Sequence, residues 1–557
     1  MFKRSPANKQ LDMFDSPSII EGLPSRASNI YHDDNHWHNQ FRKLVVYQIS
    51  EDIFAPIYCQ DNGCPNYPIR ILVGMMILKE GAGISDEMLF ENCQFNLLYR
   101  SALGLLHASD SIPAQSTYYK FRQQVKEYNE KNESDLFEDV FTQITSSHIE
   151  ILGIKSDTIR MDSKLLNSNI KWLSRYSLIH ETLSLFLTKG CNNFNFSDDL
   201  KPHISDVVST DGDKVVYRNS TDSIKQKIVD LGILISNILN EYTGPANSYY
   251  DNLLRLFKEQ FFKDDQGVTT PIKGEDLSAK NMQTPFDTDC DYRNKAGDKC
   301  KGYSANLTEV VGDNGLPNII TSIQVEKVSH SDTAHFKGSI ERTQEVLGYN
   351  VINIHADGAY NSEENQEYCA ENNQHLYLHA IQGKEGRFRF SLEAQVLKVF
   401  DNKHQRYVDY TKYKGKDELD RYKIYLEEGK FRYFKLTEVE KSLLRQRIKE
   451  TPIEKLQIRN NVEASIFQLG FHCNGKNTVY RGLIKHQMWA VARSLWVNFV
   501  RIVKYYSELN ISMVINMLKC KLCDLFIAKM TLLESVIVTK IQIQFCRLKS
   551  PKIRIIL

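Results

Sequence analysis

Three acids stand where carboxylate chemistry could occur. Asp162 lies inside Thr158-Ile159-Arg160-Met161-Asp162-Ser163-Lys164-Leu165, whose alternation predicts a strand. Asp357 closes Val351-Ile352-Asn353-Ile354-His355-Ala356-Asp357, a run of the buried-strand type. Glu463 falls on a helix predicted over 452–469, in Arg459-Asn460-Asn461-Val462-Glu463-Ala464. One such acid alone reads as a backbone cap or the partner of an arginine. Three meeting at one point read differently, because a buried carboxylate is costly unless it is paired or ligated. Oxygen ligands with open positions suit Mg²⁺ or Mn²⁺. Two such ions about 4 Å apart can hold both the attacking and the leaving oxygen of an in-line phosphoryl displacement.

Whether the acids meet depends on the elements that carry them. Residues 68–150 read as helices: an apolar one from Pro68, a break at Gly81-Ala82-Gly83, a second capped by Ser85 or Asp86, and a third from near Ser116. The third carries Lys120 and Arg122 and suits a DNA groove, although a plain helical bundle fits the pattern equally. After the strand of Asp162 comes a long helical stretch, with Ile224, Ile228, Leu231, Ile235 and Leu239 on one face. Two strands then flank Gly312-Asp313-Asn314-Gly315 as a hairpin. A helix over 332–347, the strand of Asp357, a helix over 362–373 and a strand over 376–381 follow.

With 173–300 and 384–451 set aside, the order is strand, strand, strand, helix, strand, helix, strand, helix. That is the order of an α/β fold, the ribonuclease-H-like core. Its first and fourth strands are central neighbours, and its last helix packs beside them. The acids would then converge across separations of 195 and 106 residues. The predicted organisation is a helical DNA-binding domain at 1–150 and a catalytic core from 151–172, 301–383 and 452–505. A helical insertion (173–300), a basic β-rich insertion (384–451) and a basic apolar tail (506–557) complete it.

Composition narrows the class. With 42% hydrophobic and 25% charged residues, the 557-residue chain is not mainly disordered. No long uncharged apolar run predicts a membrane span, and the polar start predicts no secretion. Eleven scattered cysteines read as free thiols. Cys520-x-x-Cys523, the Cys59/Cys64 pair and His32, His36 and His38 make no four-ligand zinc pattern. No phosphate-loop motif occurs. Net charge is +1, but 384–459 holds 20 basic against 13 acidic residues, and 480–557 holds 13 against 3. In the first of these, Arg387-Phe388-Arg389-Phe390 and Phe431-Arg432-Tyr433-Phe434-Lys435 interleave cations with rings, a pattern that suits phosphate contact and base stacking. The alternative is an ordinary strand with one buried aromatic face.

The segments around Asp162 and Asp357, with Arg481-Gly482-Leu483-Ile484-Lys485-His486-Gln487-Met488-Trp489-Ala490, resemble bacterial insertion-sequence DDE transposases, in particular the eleven-eighty-two insertion-sequence family. Residues 68–105 resemble the amino-terminal domain of InsH-type transposases. The resemblance implies that Asp162, Asp357 and Glu463 are the catalytic and metal-holding acids, with Mg²⁺ or Mn²⁺ as cofactor. It implies recognition of terminal inverted repeats and target DNA by a homodimer or larger assembly. It places the protein in the cytoplasm, on the nucleoid when bound to DNA. Where the family has Arg four residues before the glutamate, this chain has Arg459. The family's Tyr and Lys positions fall on Leu456 and Gly470, leaving Arg481 or Lys485 to supply the missing cation. A nuclease that cuts without joining, and an inactive DNA-binding derivative, are the competing readings.

Overall fold

The structure is a computed structural model. It describes residues 2–4 and 23–528 except 60–62, 108, 133, 192–193, 265–266, 296, 382, 394–395, 416–419 and 427–428, with side chains through 509. The chain is mixed α/β, 52% helix and 18% strand.

β1 (Thr158–Asn167) runs through the centre of the main sheet. On one side it pairs antiparallel with β2 (Asp298–Val310), which pairs antiparallel with β3 (Ile319–Lys327). On the other it pairs parallel with β4 (Asn353–Ala356), which pairs parallel with β5 (His375–Leu378). The order is β3-β2-β1-β4-β5, and the short strand Asp291–Lys295 extends the free edge at the start of β2. The two parallel steps each need a crossover. Helices Asp332–Leu347 and Glu363–Glu371 supply them.

Ahead of the sheet lie helices Trp37–Leu44, Ile69–Ala82, Asp86–Phe95, Leu97–Ala102, Gln115–Asn132 and Leu136–Leu152. Ile69–Ala82 is apolar on nearly every face, which marks a helix buried all round. It ends at Gly83, whose φ of +65° provides the left-handed cap. The second predicted helix divides at Asn96, because the Asn96 side chain accepts from the N–H groups of Leu98 and Tyr99 and starts a new turn.

The partner of Ile69–Ala82 comes from the far end of the chain. Helix Leu483–Ala528 lies so close to it that a Cβ on Gly81 would sit 2.2 Å from the Trp496 ring. Buried Arg493 donates to the carbonyls of Glu80 (2.9 Å) and Gly81 (3.1 Å), and also to those of Gln468 and Leu469. One guanidinium thus satisfies the open carbonyl ends of two helices. The amino-terminal helices, the sheet and this last helix share one continuous apolar core. A fragment ending near residue 150 should therefore leave the Ile69–Ala82 face uncovered. We expect it to aggregate or to bind a hydrophobic dye strongly, and a separate chain from about 480 onward to suppress this. A monomeric fragment with a cooperative unfolding transition would show that the helices pack alone.

Several sequence expectations are corrected. The break expected at 505/506 lies inside helix Leu483–Ala528, since apolar residues through Tyr506 continue to pack on the core. Residues 529–557 of the expected tail fall outside the described residues, as do the side chains of Cys520 and Cys523. The stretch 173–300 is not wholly helical: its helices hold their own core around Ile179, Phe186, Ile235 and Leu256, but Phe261–Lys263 and Thr269–Pro271 form a hairpin. Aromatic and β-branched residues favour that pairing. The cut at 300/301 falls inside β2.

In 384–451, two three-stranded antiparallel sheets are followed by a helix, Leu436–Glu450. The helix expected over 452–469 is two, Ile453–Asn460 and Val462–Leu469. In a continuous helix the Ile458 carbonyl would accept from residue 462. Here Arg160 Nη1 takes it at 2.9 Å. Among the described residues, no helix is long and apolar enough to cross a membrane.

Candidate active site

β1 presents alternate side chains to the same neighbour, as strand geometry requires. Arg160 reaches Ile458, Asp162 reaches Arg459 and Lys164 lies against Gly470, so this face of β1 looks onto the helix pair 453–469. On the opposite face, the Ser163 hydroxyl donates to Asp332 at 2.9 Å. Asp162 also accepts from the Ser163 N–H at 2.8 Å. Burial raises the Asp162 carboxyl above the usual carboxylate range, while Arg459 pulls it down.

Asp357 follows directly on β4. Its carboxylate accepts from the Gly358 N–H at 2.6 Å. Gly358 is needed there: a Cβ would stand 1.8 Å from the Ala380 carbonyl oxygen. Two residues on, buried Tyr360 donates its hydroxyl to Asn306 on β2, fixing the loop. Glu463 lies in the first turn of Val462–Leu469 with its side chain 71% exposed.

The three acids meet at one side chain. Arg459 Nη2 stands 3.0 Å from Asp162 Oδ2 and 4.0 Å from Asp357 Oδ2, and Nη1 stands 3.9 Å from Glu463 Oε1. The guanidinium is largely buried, and among the described residues its Nε has no hydrogen-bond partner. An all-carboxylate donor set suits a hard divalent cation in kind. Among the described residues, no three acidic, histidine or cysteine side chains stand close enough together to hold an ion, and Arg459 is the cation that balances them.

Sequence reasoning missed three residues here. Asp332 is buried, 3.6 Å from Arg293, and its charge adds to that felt by Asp162. It helps line a cleft of about 280 Å³ beside Asp357, with Arg293, Lys295 and Lys441. Only its place after a helix-capping serine marked it. Glu309, on β2 opposite Arg160, is fully buried. Lys164 was legible as the third charged residue in the alternation Arg160-x-Asp162-x-Lys164.

The residues expected to contact DNA divide. Lys120 is exposed on its helix. Arg122 is turned inward, 3.5 Å from Asp86 and over the Tyr118 ring, because it closes a buried charge cluster with Lys79 and Glu80. Arg481 is exposed and donates to the Asn169 carbonyl at 2.6 Å. Lys485 is held below its usual pKa by partial burial and then by the charges of Lys126 and Arg122. Arg387 is committed to Asp401 through two hydrogen bonds of 2.9 and 2.7 Å. Arg389 and Arg432 lie over the Phe400 and Phe434 rings. Phe388, Phe390 and Phe434 are core residues of the insertion and cannot stack on a base, whereas Phe431 and Tyr433 are exposed.

Residues 29–124 match a family model described as a transposase domain, DUF772. The match spans the amino-terminal helices from Ser25–His32 into Gln115–Asn132 and supports a transposase of the insertion-sequence kind. No curated protein matches the chain.

Proposed function

We propose that the protein cuts and joins DNA ends as a DDE-type transposase of the eleven-eighty-two insertion-sequence group, with Asp162, Asp357 and Glu463 as its acids. The observation that carries this reading is the convergence of all three on Arg459 from β1, the end of β4 and a late helix. The strand order, with β2 alone running against the others, supports a ribonuclease-H-like core. The transposase-domain match supports the class.

In this reading, Asp162 and Asp357 would hold Mg²⁺ or Mn²⁺, with Glu463 drawn in from its exposed position. The ion would supply positive charge to the reacting phosphate oxygens. The chain's own part is positional. Ser163 and Gly358 N–H groups orient the two aspartates, and Arg459 is placed to exchange carboxylate for phosphate when a DNA strand enters. The amino-terminal helices would read the terminal inverted repeats, with the cations near Lys485 and in the β-rich insertion contacting phosphates. Two or more copies would be needed to bring both ends together.

The test uses DNA from either side of the gene. Purified protein with Mg²⁺ should nick at the boundary of inverted repeats and should join pre-cut ends to a target plasmid. Cutting without joining would leave a nuclease, and neither activity, with end binding retained, would leave an inactive binding derivative.

Arg459→Lys should lower cleavage about tenfold or more, equivalent to about 1.4 kcal/mol of transition-state stabilisation. Lysine keeps the charge but not the planar fork that reaches several oxygens at once. Binding of uncut ends, measured by mobility shift, should change little. Normal cleavage with lowered thermal stability would make Arg459 a structural partner only.

A further inference from the structure

We infer that Lys164 is a substrate-binding residue that grips a phosphate of the cut strand next to the carboxylate site, and that Gly470 exists to admit it. This rests on the proposed phosphoryl-transfer function. Lys164 lies two residues past Asp162 on the same face of β1, half-buried, and among the described residues no carboxylate pairs with it. Its neighbours on that face each have a protein partner: Arg160 has Glu309 and the Ile458 carbonyl, and Asp162 has Arg459. Among the described residues Lys164 has no such ion-pair partner, so its ammonium is open to an entering anion.

Gly470 shapes the place. Its backbone, at φ −93° and ψ 15°, is open to any residue, so no turn requires glycine. What fills the space is the flexible lysine tip: a Cβ on Gly470 would stand 2.3 Å from Lys164 Cε and 2.7 Å from its Nζ, and would have to push it aside. The lysine side chain therefore occupies the volume that a side chain at 470 would fill. It comes from the strand, whereas a lysine at 470 would come from the helix end, and both would bring an ammonium into the same neighbourhood. Gly470 lies seven residues beyond Glu463, about 10 Å along a helical path. Of the residues expected to provide this cation, Arg481 is exposed and donates to the Asn169 carbonyl at 2.6 Å.

The swap tests it. Lys164→Ala should lower cleavage of end DNA about tenfold or more and make binding less dependent on salt by about one ion contact. Adding Gly470→Lys to Lys164→Ala should restore most of both. Gly470→Ala alone should displace the flexible lysine tip, lowering cleavage with little change in thermal stability. Lys164→Ala with parental cleavage and salt dependence, or a double variant no better than the single one at equal thermal stability, would overturn the inference. Asp162→Asn assayed alongside separates the two failures. If it stays active, the function is wrong. If it is inactive while Lys164→Ala is normal, only the lysine assignment falls.

Discussion

Asp162→Asn is expected to reduce strand cleavage below about one per cent of the parent rate, a loss of at least about 2.7 kcal/mol of transition-state stabilisation. Asparagine has nearly the same shape and can still accept from the Ser163 N–H, so the local strand should hold. It lacks the charge that balances Arg459 at 3.0 Å and that would hold a cation. Binding of DNA ends should remain close to parental, because the acid reads no sequence. Gel assays of cleavage and of mobility shift on the same preparations decide the matter. Cleavage above a few per cent with Mg²⁺ present would remove Asp162 from the chemistry.

The second large effect is on stability. Glu309 is fully buried between Arg160 (2.6 Å) and Arg501 (2.7 Å), and the Ser465 hydroxyl donates to it at 2.6 Å. Ser465 lies on the Glu463 helix, and Arg160 also holds the carbonyl just before Arg459. The carboxylate therefore ties β1, β2, the acid-bearing helix and the last helix at one point. Glu309→Ala would leave two arginines buried without their partner, which costs about 3–5 kcal/mol. The urea midpoint followed by tryptophan fluorescence should fall accordingly, and an unchanged midpoint would show that the arginines find other partners.

The same group predicts an acid limit. Burial raises the Glu309 carboxyl, but Arg501 and Arg160 more than offset this and hold it below the usual range. A lowered folded pKa means stability fully present above the unfolded value of about 4.3 and lost as pH falls below it. Glu309→Gln should be less stable at neutral pH and should lose part of this acid dependence.

Much of the site was legible in the chain. Asp162 sits on, and Asp357 directly after, strands whose alternation and apolar runs are local properties, so these elements could be read from a few residues. The cap at Ser85 was equally local, whereas the need for Gly358 came only with the close approach of the Ala380 carbonyl. The crossover helices followed from the parallel pairing the order demands. What the order of elements could not give was which surfaces become interior. Arg122 looks like any basic helix residue until Asp86 and Glu80 are folded against it. Arg387 looks open until the hairpin brings Asp401 to it.

At the break between Ile453–Asn460 and Val462–Leu469, the Ile458 carbonyl accepts from Arg160, nearly 300 residues earlier. The departure at Gly470 appeared as a missing cation, because a sequence position cannot show that a strand residue fills the same volume. Helix Leu483–Ala528 reads in the sequence as core up to 505 and basic apolar tail beyond, since its packing partners, Ile69–Ala82 among them, lie far off in the chain. Periodicity and acid placement thus set the elements and the three carboxylates. Packing between distant segments set the direction of each charged side chain, because burying a charge depends on where its partner is brought, and that is a property of the tertiary fold alone.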